Sequence, residues 1–262
     1  MTNLMTTAMP SQFHWRQAER PVSLVSMRWS TAIVALVVLT LTACGNEPVR
    51  DDVRDGGAQA ASLGDPDRPD RPDRSAQQKI IAFGDSLTAG FGIPHDGAYP
   101  AALQAILDAE GYPYEVINAG VSGETSAGGV RRLDWVLEER DVAVFILELG
   151  ANDGLRGLRP SEMKKNLNAI IDAAESRGIP VLLAGLSLGD EHKNRYVRDF
   201  VAAFEEVAAE RDITFMPHFL DNVAGVVELN QRDGKHPNVA GARIVAENVW
   251  AYLKPMLTPA SL

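Results

Sequence analysis

From Lys79 onward, short apolar runs alternate with longer amphipathic stretches, and this rhythm constrains the fold more than any other feature of the chain. Ile80-Ile81-Ala82-Phe83 reads as a strand ending in the turn signal Gly84-Asp85. Leu103, Ile106 and Leu107 space a helix over Tyr99 to Glu110, which Gly111 stops. Glu115-Val116-Ile117-Asn118 is a second strand, and a helix through Val130, Leu133, Val136 and Leu137 follows. Val142 to Leu147 is apolar at every position, as in a central strand covered on both faces. A helix over Ser161 to Arg177, with Ser161 as its cap, leads to a fourth strand at Val181 to Gly185. A helix over Tyr196 to Arg211, with Val197, Phe200, Val201, Phe204 and Val207 on one face, precedes a short strand at Ile213 to Met216. The last helix covers Val239 to Lys254. Alternation of this kind predicts one parallel sheet with helices on both faces, a three-layer α/β/α domain over residues 79–262.

The first 78 residues read differently. Arg28 precedes the apolar run Thr31 to Leu41, and Thr42-Ala43-Cys44 follows. A positive flank, an apolar core of about 7–15 residues and small residues at a cleavage point describe a secretory signal over residues 1–43. The run is short for a spanning helix, which needs about 20 apolar residues. Leu41-Thr42-Ala43-Cys44 also resembles the lipobox of bacterial lipoproteins. That resemblance implies cleavage before Cys44, acylation of its thiol and amine, and anchorage to a membrane on the extracytoplasmic, periplasmic side. The alternative is an ordinary signal peptide with an incidental cysteine. Met27-Arg28-Trp29 reads as the working start, with residues 1–26 an upstream extension.

Residues 44–78, with the repeat Asp65-Pro66-Asp67-Arg68-Pro69-Asp70-Arg71-Pro72-Asp73-Arg74, hold almost no large apolar side chains. Such a segment cannot bury enough surface to offset its ordering entropy, so it is expected to be a disordered, extended spacer. Cys44 is the only cysteine, which excludes an intramolecular disulfide. The net charge is −10, and the part after residue 43 is more acidic still, because Arg16, Arg20 and Arg28 outnumber Glu19 before it. A chain this acidic, with no basic stripe in its folded part, is not expected to bind nucleic acid.

Three strand ends then carry chemistry. Ser86 follows the first strand, Gly123 the second and Asn152 the third, while Asp233 and His236 sit in the loop before the last helix. In an open parallel sheet, ligands bind beyond the C-terminal ends of the strands, so these residues are expected on one edge. A serine nucleophile, a histidine base, an aspartate to orient it and amide donors for an oxyanion are the parts of a serine hydrolase. Asp85 is expected to shape the nucleophile turn and Asp153 to hold the Asn152 loop. His95, His192 and His218 are isolated and lack metal-ligand spacing.

Four ordered blocks resemble the SGNH, or GDSL-type, esterase and lipase family. They are Gly84-Asp85-Ser86-Leu87, Asn118 to Thr125 around Gly123, Gly150-Ala151-Asn152-Asp153 and Asp233-Gly234-Lys235-His236-Pro237. The stretch Glu148 to Gly157 is similar to its counterpart in the bacterial thioesterase I, lysophospholipase L1 and arylesterase branch. The resemblance implies a flavodoxin-like strand order 2-1-3-4-5. It implies a triad of Ser86, Asp233 and His236, and an oxyanion hole from the Ser86 and Gly123 N–H groups and the Asn152 amide. Gly120 competes with Gly123 for that duty. It also implies that Leu155 to Pro160 corresponds to a mobile loop near the acyl site.

The expected activity is hydrolysis of carboxylic ester and thioester bonds through an acyl-enzyme, without cofactor or metal. The expected substrates are lysophospholipids, aryl esters or short acyl esters. An O-acetyl esterase acting on envelope polysaccharide is the alternative within the fold. A non-catalytic binding lipoprotein is the alternative of another class, and no protein partner is identified.

Overall fold

The architecture comes from a computed structural model that describes residues 74–187 and 194–259. The segments expected to form the signal, the lipidated Cys44 and most of the spacer therefore lie outside the described residues, as does His192. Five strands, β1 (Gln78–Gly84), β2 (Tyr114–Gly120), β3 (Val142–Glu148), β4 (Val181–Ala184) and β5 (Thr214–Met216), form one sheet in the order β2-β1-β3-β4-β5. Every neighbouring pair is parallel, so the class and strand order expected from the sequence are those found.

Among the described residues, seven α-helices accompany the sheet: α1 (Ser86–Ala89), α2 (Tyr99–Glu110), α3 (Ser126–Val136), α4 (Ala151–Leu155), α5 (Pro160–Glu175), α6 (Arg195–Arg211) and α7 (Val239–Leu253). The chain moves from β1 to β2 toward one edge of the sheet and from β2 through β5 toward the other. Right-handed crossovers therefore put α2 on one face and α3, α5 and α6 on the opposite one. The packing follows: α2 lies against α7, while α5 lies against both α3 and α6.

The core lies where the continuous apolar runs predict it. Ile80 to Phe83 of β1 and Val144 to Leu147 of β3 are fully buried. At about 25 cal/mol per Å² of apolar surface removed from water, such residues provide the main drive to fold. The outer strand β2 is only partly buried. Its free edge is met by Gln104 of α2, whose Oε1 accepts from the Val116 N–H at 2.8 Å and whose Nε2 donates to the Tyr114 carbonyl at 3.0 Å. Ahead of β1, Arg74 is ion-paired with Asp108 at 2.6 Å, which fixes chain that the sequence reading assigns to the spacer.

Local differences from the sequence reading have physical causes. Helix α5 starts at Pro160, whose fixed φ suits a first helical position, so Ser161 lies inside the first turn and is not the cap. In α3 the inward positions are Gly129, Leu133 and Val136, whereas Val130 is exposed. A Cβ on Gly129 would lie 2.4 Å from Leu149 and 3.1 Å from Phe83, so glycine there lets the helix approach the sheet closely.

Candidate active site

The C-terminal edge of the sheet opens into a cleft of about 650 Å³. Ser86, Gly123, Asn152 and His236 all line it, with Leu87, Phe91, Leu155, Leu186 and Leu220 supplying apolar wall. Parallel strand topology accounts for the convergence, since the loops leaving β1, β2 and β3 all emerge there.

Ser86 is the first residue of α1. Asp85 caps that helix, its Oδ1 accepting from the Leu87 N–H at 3.0 Å. The Ser86 hydroxyl lies 2.9 Å from His236 Nε2, and Asp233 Oδ2 lies 2.6 Å from His236 Nδ1. Asp233 Oδ1 also accepts from the backbone N–H groups of Lys235 and His236, at 2.9 and 3.1 Å. The hydrogen bond to His236 and those two N–H groups pull the Asp233 carboxyl down to about 2. Gln231 braces the loop: its Nε2 donates to the carbonyls of Phe91 and Pro237, and its N–H donates to the His236 carbonyl. The Phe91 ring packs against the His236 imidazole with centroids 4.9 Å apart.

Asn152, in the first turn of α4, is held by Asp85: its Nδ2 donates to Asp85 Oδ2 at 2.8 Å. One hydrogen of that amide is thereby used, and the other is left for a ligand in the cleft. Burial pushes the Asp85 carboxyl up to about 6, against the opposing pull of the Leu87 N–H, the Asn152 amide and His236. Gly123 has φ of +79°, a conformation open to glycine at little cost, and a Cβ there would meet only Arg156 Nη2, at 3.9 Å. Gly120 differs: a Cβ would lie 2.2 Å from the Ala89 backbone nitrogen, so it serves close packing of β2 on α1. Asp153 is buried and accepts from the N–H and hydroxyl of Ser126 at 2.8 and 2.6 Å, joining the Asn152 segment to the start of α3.

Arg156 and Glu148 are among the residues that the sequence reading missed. Arg156 Nη2 donates to the Gly123 carbonyl at 2.7 Å, strapping the loop after α4 to the loop after β2. Nothing in the linear order points to that contact. Glu148, fully buried at the end of β3, had a visible signal: a carboxyl closing an otherwise apolar strand. Neither His95 nor His218 lines the cleft. Among the described residues no group of His, Cys, Asp and Glu is arranged to hold a metal ion.

Residues 82–244 match the family model described as GDSL-like Lipase/Acylhydrolase family. The chain is 41% identical over 184 residues to the Esterase TesA of Pseudomonas aeruginosa, covering 70% of this chain and 92% of that protein. It is 31% identical over 183 residues to the Thioesterase 1/protease 1/lysophospholipase L1 of Escherichia coli K12, covering 70% of this chain and 86% of that one. A solved structure of TesA superposes with a TM-score of 0.66 at 41% identity, spanning 69% of this chain and all of the solved one.

Proposed function

This chain belongs to the GDSL-like lipase/acylhydrolase family and is a serine ester hydrolase, and on that premise we propose that it deacylates apolar acyl esters and thioesters through a Ser86-bound acyl-enzyme. One observation carries the reading: the Ser86–His236–Asp233 chain of short contacts, at 2.9 and 2.6 Å, opens into an apolar cleft.

In the proposed reaction the Ser86 oxygen attacks the acyl carbonyl while His236 Nε2 takes the hydroxyl proton. Asp233 holds the Nδ1 proton and so keeps Nε2 available as acceptor. The Ser86 and Gly123 N–H groups and the free Asn152 amide hydrogen stabilise the oxyanion. Collapse of the tetrahedral intermediate breaks the bond to the leaving alkoxide or thiolate, which takes the proton from His236 Nε2. Water then repeats the sequence on the acyl-enzyme, its proton passing to His236 and back to the Ser86 oxygen, with release of the carboxylic acid.

The apolar walls favour an acyl chain over a sugar ring, so lysophospholipids and aryl or medium-chain acyl esters are the proposed substrates, ahead of acetylated polysaccharide. The lipobox-like Leu41 to Cys44 supports placing the enzyme outside the cytoplasm, tethered to a membrane through acylated Cys44. The test is a panel of p-nitrophenyl esters from acetyl to palmitoyl, assayed with the native chain and Ser86→Ala. Turnover that is lost in the variant and rises from acetyl to longer chains is expected. Activity surviving in Ser86→Ala would overturn the serine mechanism, and activity confined to acetyl esters would favour the polysaccharide reading.

A further inference from the structure

Behind the nucleophile lies a second carboxyl that the reaction scheme leaves unused. Glu148 Oε2 accepts from the Thr88 hydroxyl at 2.7 Å and from the Asp85 N–H at 3.3 Å. Both donors flank Ser86 on the turn from β1 into α1. Gly84 makes room for the contact, because a Cβ there would lie 2.5 Å from Glu148 Oε2 and 2.1 Å from Thr88 Oγ1. A carboxyl on β3, the strand that leads to Asn152, thus grips the turn on β1 that carries Ser86.

The charge state follows from the surroundings. Glu148 is fully buried, its Oε1 has no hydrogen-bond partner, and the donors that meet its carboxyl are uncharged: the Thr88 hydroxyl and peptide N–H groups of the nucleophile turn. A carboxylate desolvated without a cation is strongly disfavoured. The neighbouring Asp85 adds repulsion, and both effects push Glu148 toward its protonated form. The other ionisable groups around it do not reverse this. Tyr99 of α2 is itself held neutral by burial. Arg132 of α3 donates to the Gly84 carbonyl at 3.2 Å but is ion-paired with Glu124. Of two adjacent carboxyls, Asp85 has the donors to carry the negative charge, and it spends that charge on Leu87 and Asn152.

We propose that Glu148 is a positioning residue for the reaction: a buried carboxyl that fixes the Asp85–Thr88 turn, and through it the approach of the Ser86 oxygen to His236 and to the oxyanion donors. The inference rests on the Ser86 reading given above. Misplacing a nucleophile by about 1 Å costs on the order of 10²-fold in turnover, and the loss falls on kcat because the cleft that binds substrate is untouched.

The experiment measures kcat and KM on p-nitrophenyl butyrate for the full chain, Glu148→Ala, Glu148→Gln, Thr88→Val and Ser86→Ala, with a melting temperature for each. Glu148→Ala is expected to lose about 10²-fold in kcat with KM within about two-fold. Glu148→Gln, neutral and of the same shape, restores at least ten-fold of that loss. Thr88→Val, which keeps shape but removes one donor to Oε2, lowers kcat by a smaller factor, again without moving KM. Native-like kcat in Glu148→Ala, or a Gln variant no better than the Ala one, overturns the proposal. Should Glu148→Ala fail to fold, native kcat in a folded Thr88→Val does the same. An active Ser86→Ala would instead bring down the reading beneath it, so the two failures are distinguishable.

Discussion

Asp233 divides its two carboxylate oxygens between the backbone and the ring of His236. Oδ1 takes the N–H groups that shape the turn, and Oδ2 takes Nδ1 of the imidazole. The three-residue spacing therefore does two jobs. Asp233→Asn preserves the first, through its carbonyl, and reverses the second. An amide facing Nδ1 makes that nitrogen an acceptor and leaves Nε2 protonated toward Ser86, where it cannot accept the hydroxyl proton. We predict a loss of about 10³–10⁴-fold in kcat with little change in melting temperature, measured by steady-state ester hydrolysis.

Asp85 gives a pH dependence of opposite sign from the usual paired carboxylate. Its folded pKa of about 6 lies above the ordinary 3.8, so the folded protein takes up this proton before the unfolded chain does. The stability it contributes is fully present below about pH 4 and is lost as pH rises through about 6. The urea midpoint of the native chain minus that of Asp85→Asn should therefore fall between pH 4 and pH 7. A flat or rising difference would contradict burial as the dominant cause.

Gly123→Ala isolates backbone geometry from sterics. Space exists for the methyl group, but φ of +79° is costly for any residue with a Cβ. The penalty is about 1–2 kcal/mol if the conformation is kept. If it is not kept, the N–H turns away from the oxyanion. Turnover should fall by 10-fold or more, while titration of Ser86 with a fluorophosphonate still reaches one equivalent at a slower rate.

Leu155 stands 59% exposed at the cleft wall. Leu155→Ser removes apolar surface that only a long acyl chain can cover, at about 25 cal/mol per Å². KM should rise several-fold for octanoyl esters and stay unchanged for acetyl esters. An equal rise for both would place the acyl chain elsewhere.

Cys44→Ser tests the anchor. Palmitate labelling and recovery in the membrane fraction should both disappear, while kcat on soluble esters is retained, because every residue lining the cleft lies at Ser86 or beyond in the sequence. Labelling that persists in the variant would dismiss lipidation at this residue.

The large-scale pattern was legible because periodicity survives in one dimension. Helix α2 runs from Tyr99 to Glu110 as its spacing predicts, and Gly111 ends it in the left-handed conformation. Ser86, Gly123 and Asn152 could be placed together because parallel strands export their C-terminal ends to one edge. What stayed hidden depends on three-dimensional approach. Val130 shares helical spacing with Leu133, but the inward position belongs to Gly129, whose value lies in lacking a side chain. The five-residue α4 is too short to show a period. Arg156 could not be linked to Gly123 from order alone, because its partner is a carbonyl that every residue possesses. Glu148 was visible as an acid in an apolar strand, yet its grip on the Ser86 turn needs the β1–β3 register to be known.

The side chain of Gln104 has a consequence for how this molecule meets its own copies. A partly exposed outer strand is a template for another chain's backbone. Here two of the outward-facing groups of β2, the Val116 N–H and the Tyr114 carbonyl, are already occupied by one glutamine amide. That amide imitates the peptide group of a sixth strand. An approaching edge would have to evict it before gaining its first hydrogen bonds, so the sheet ends at β2 by competition from within the molecule.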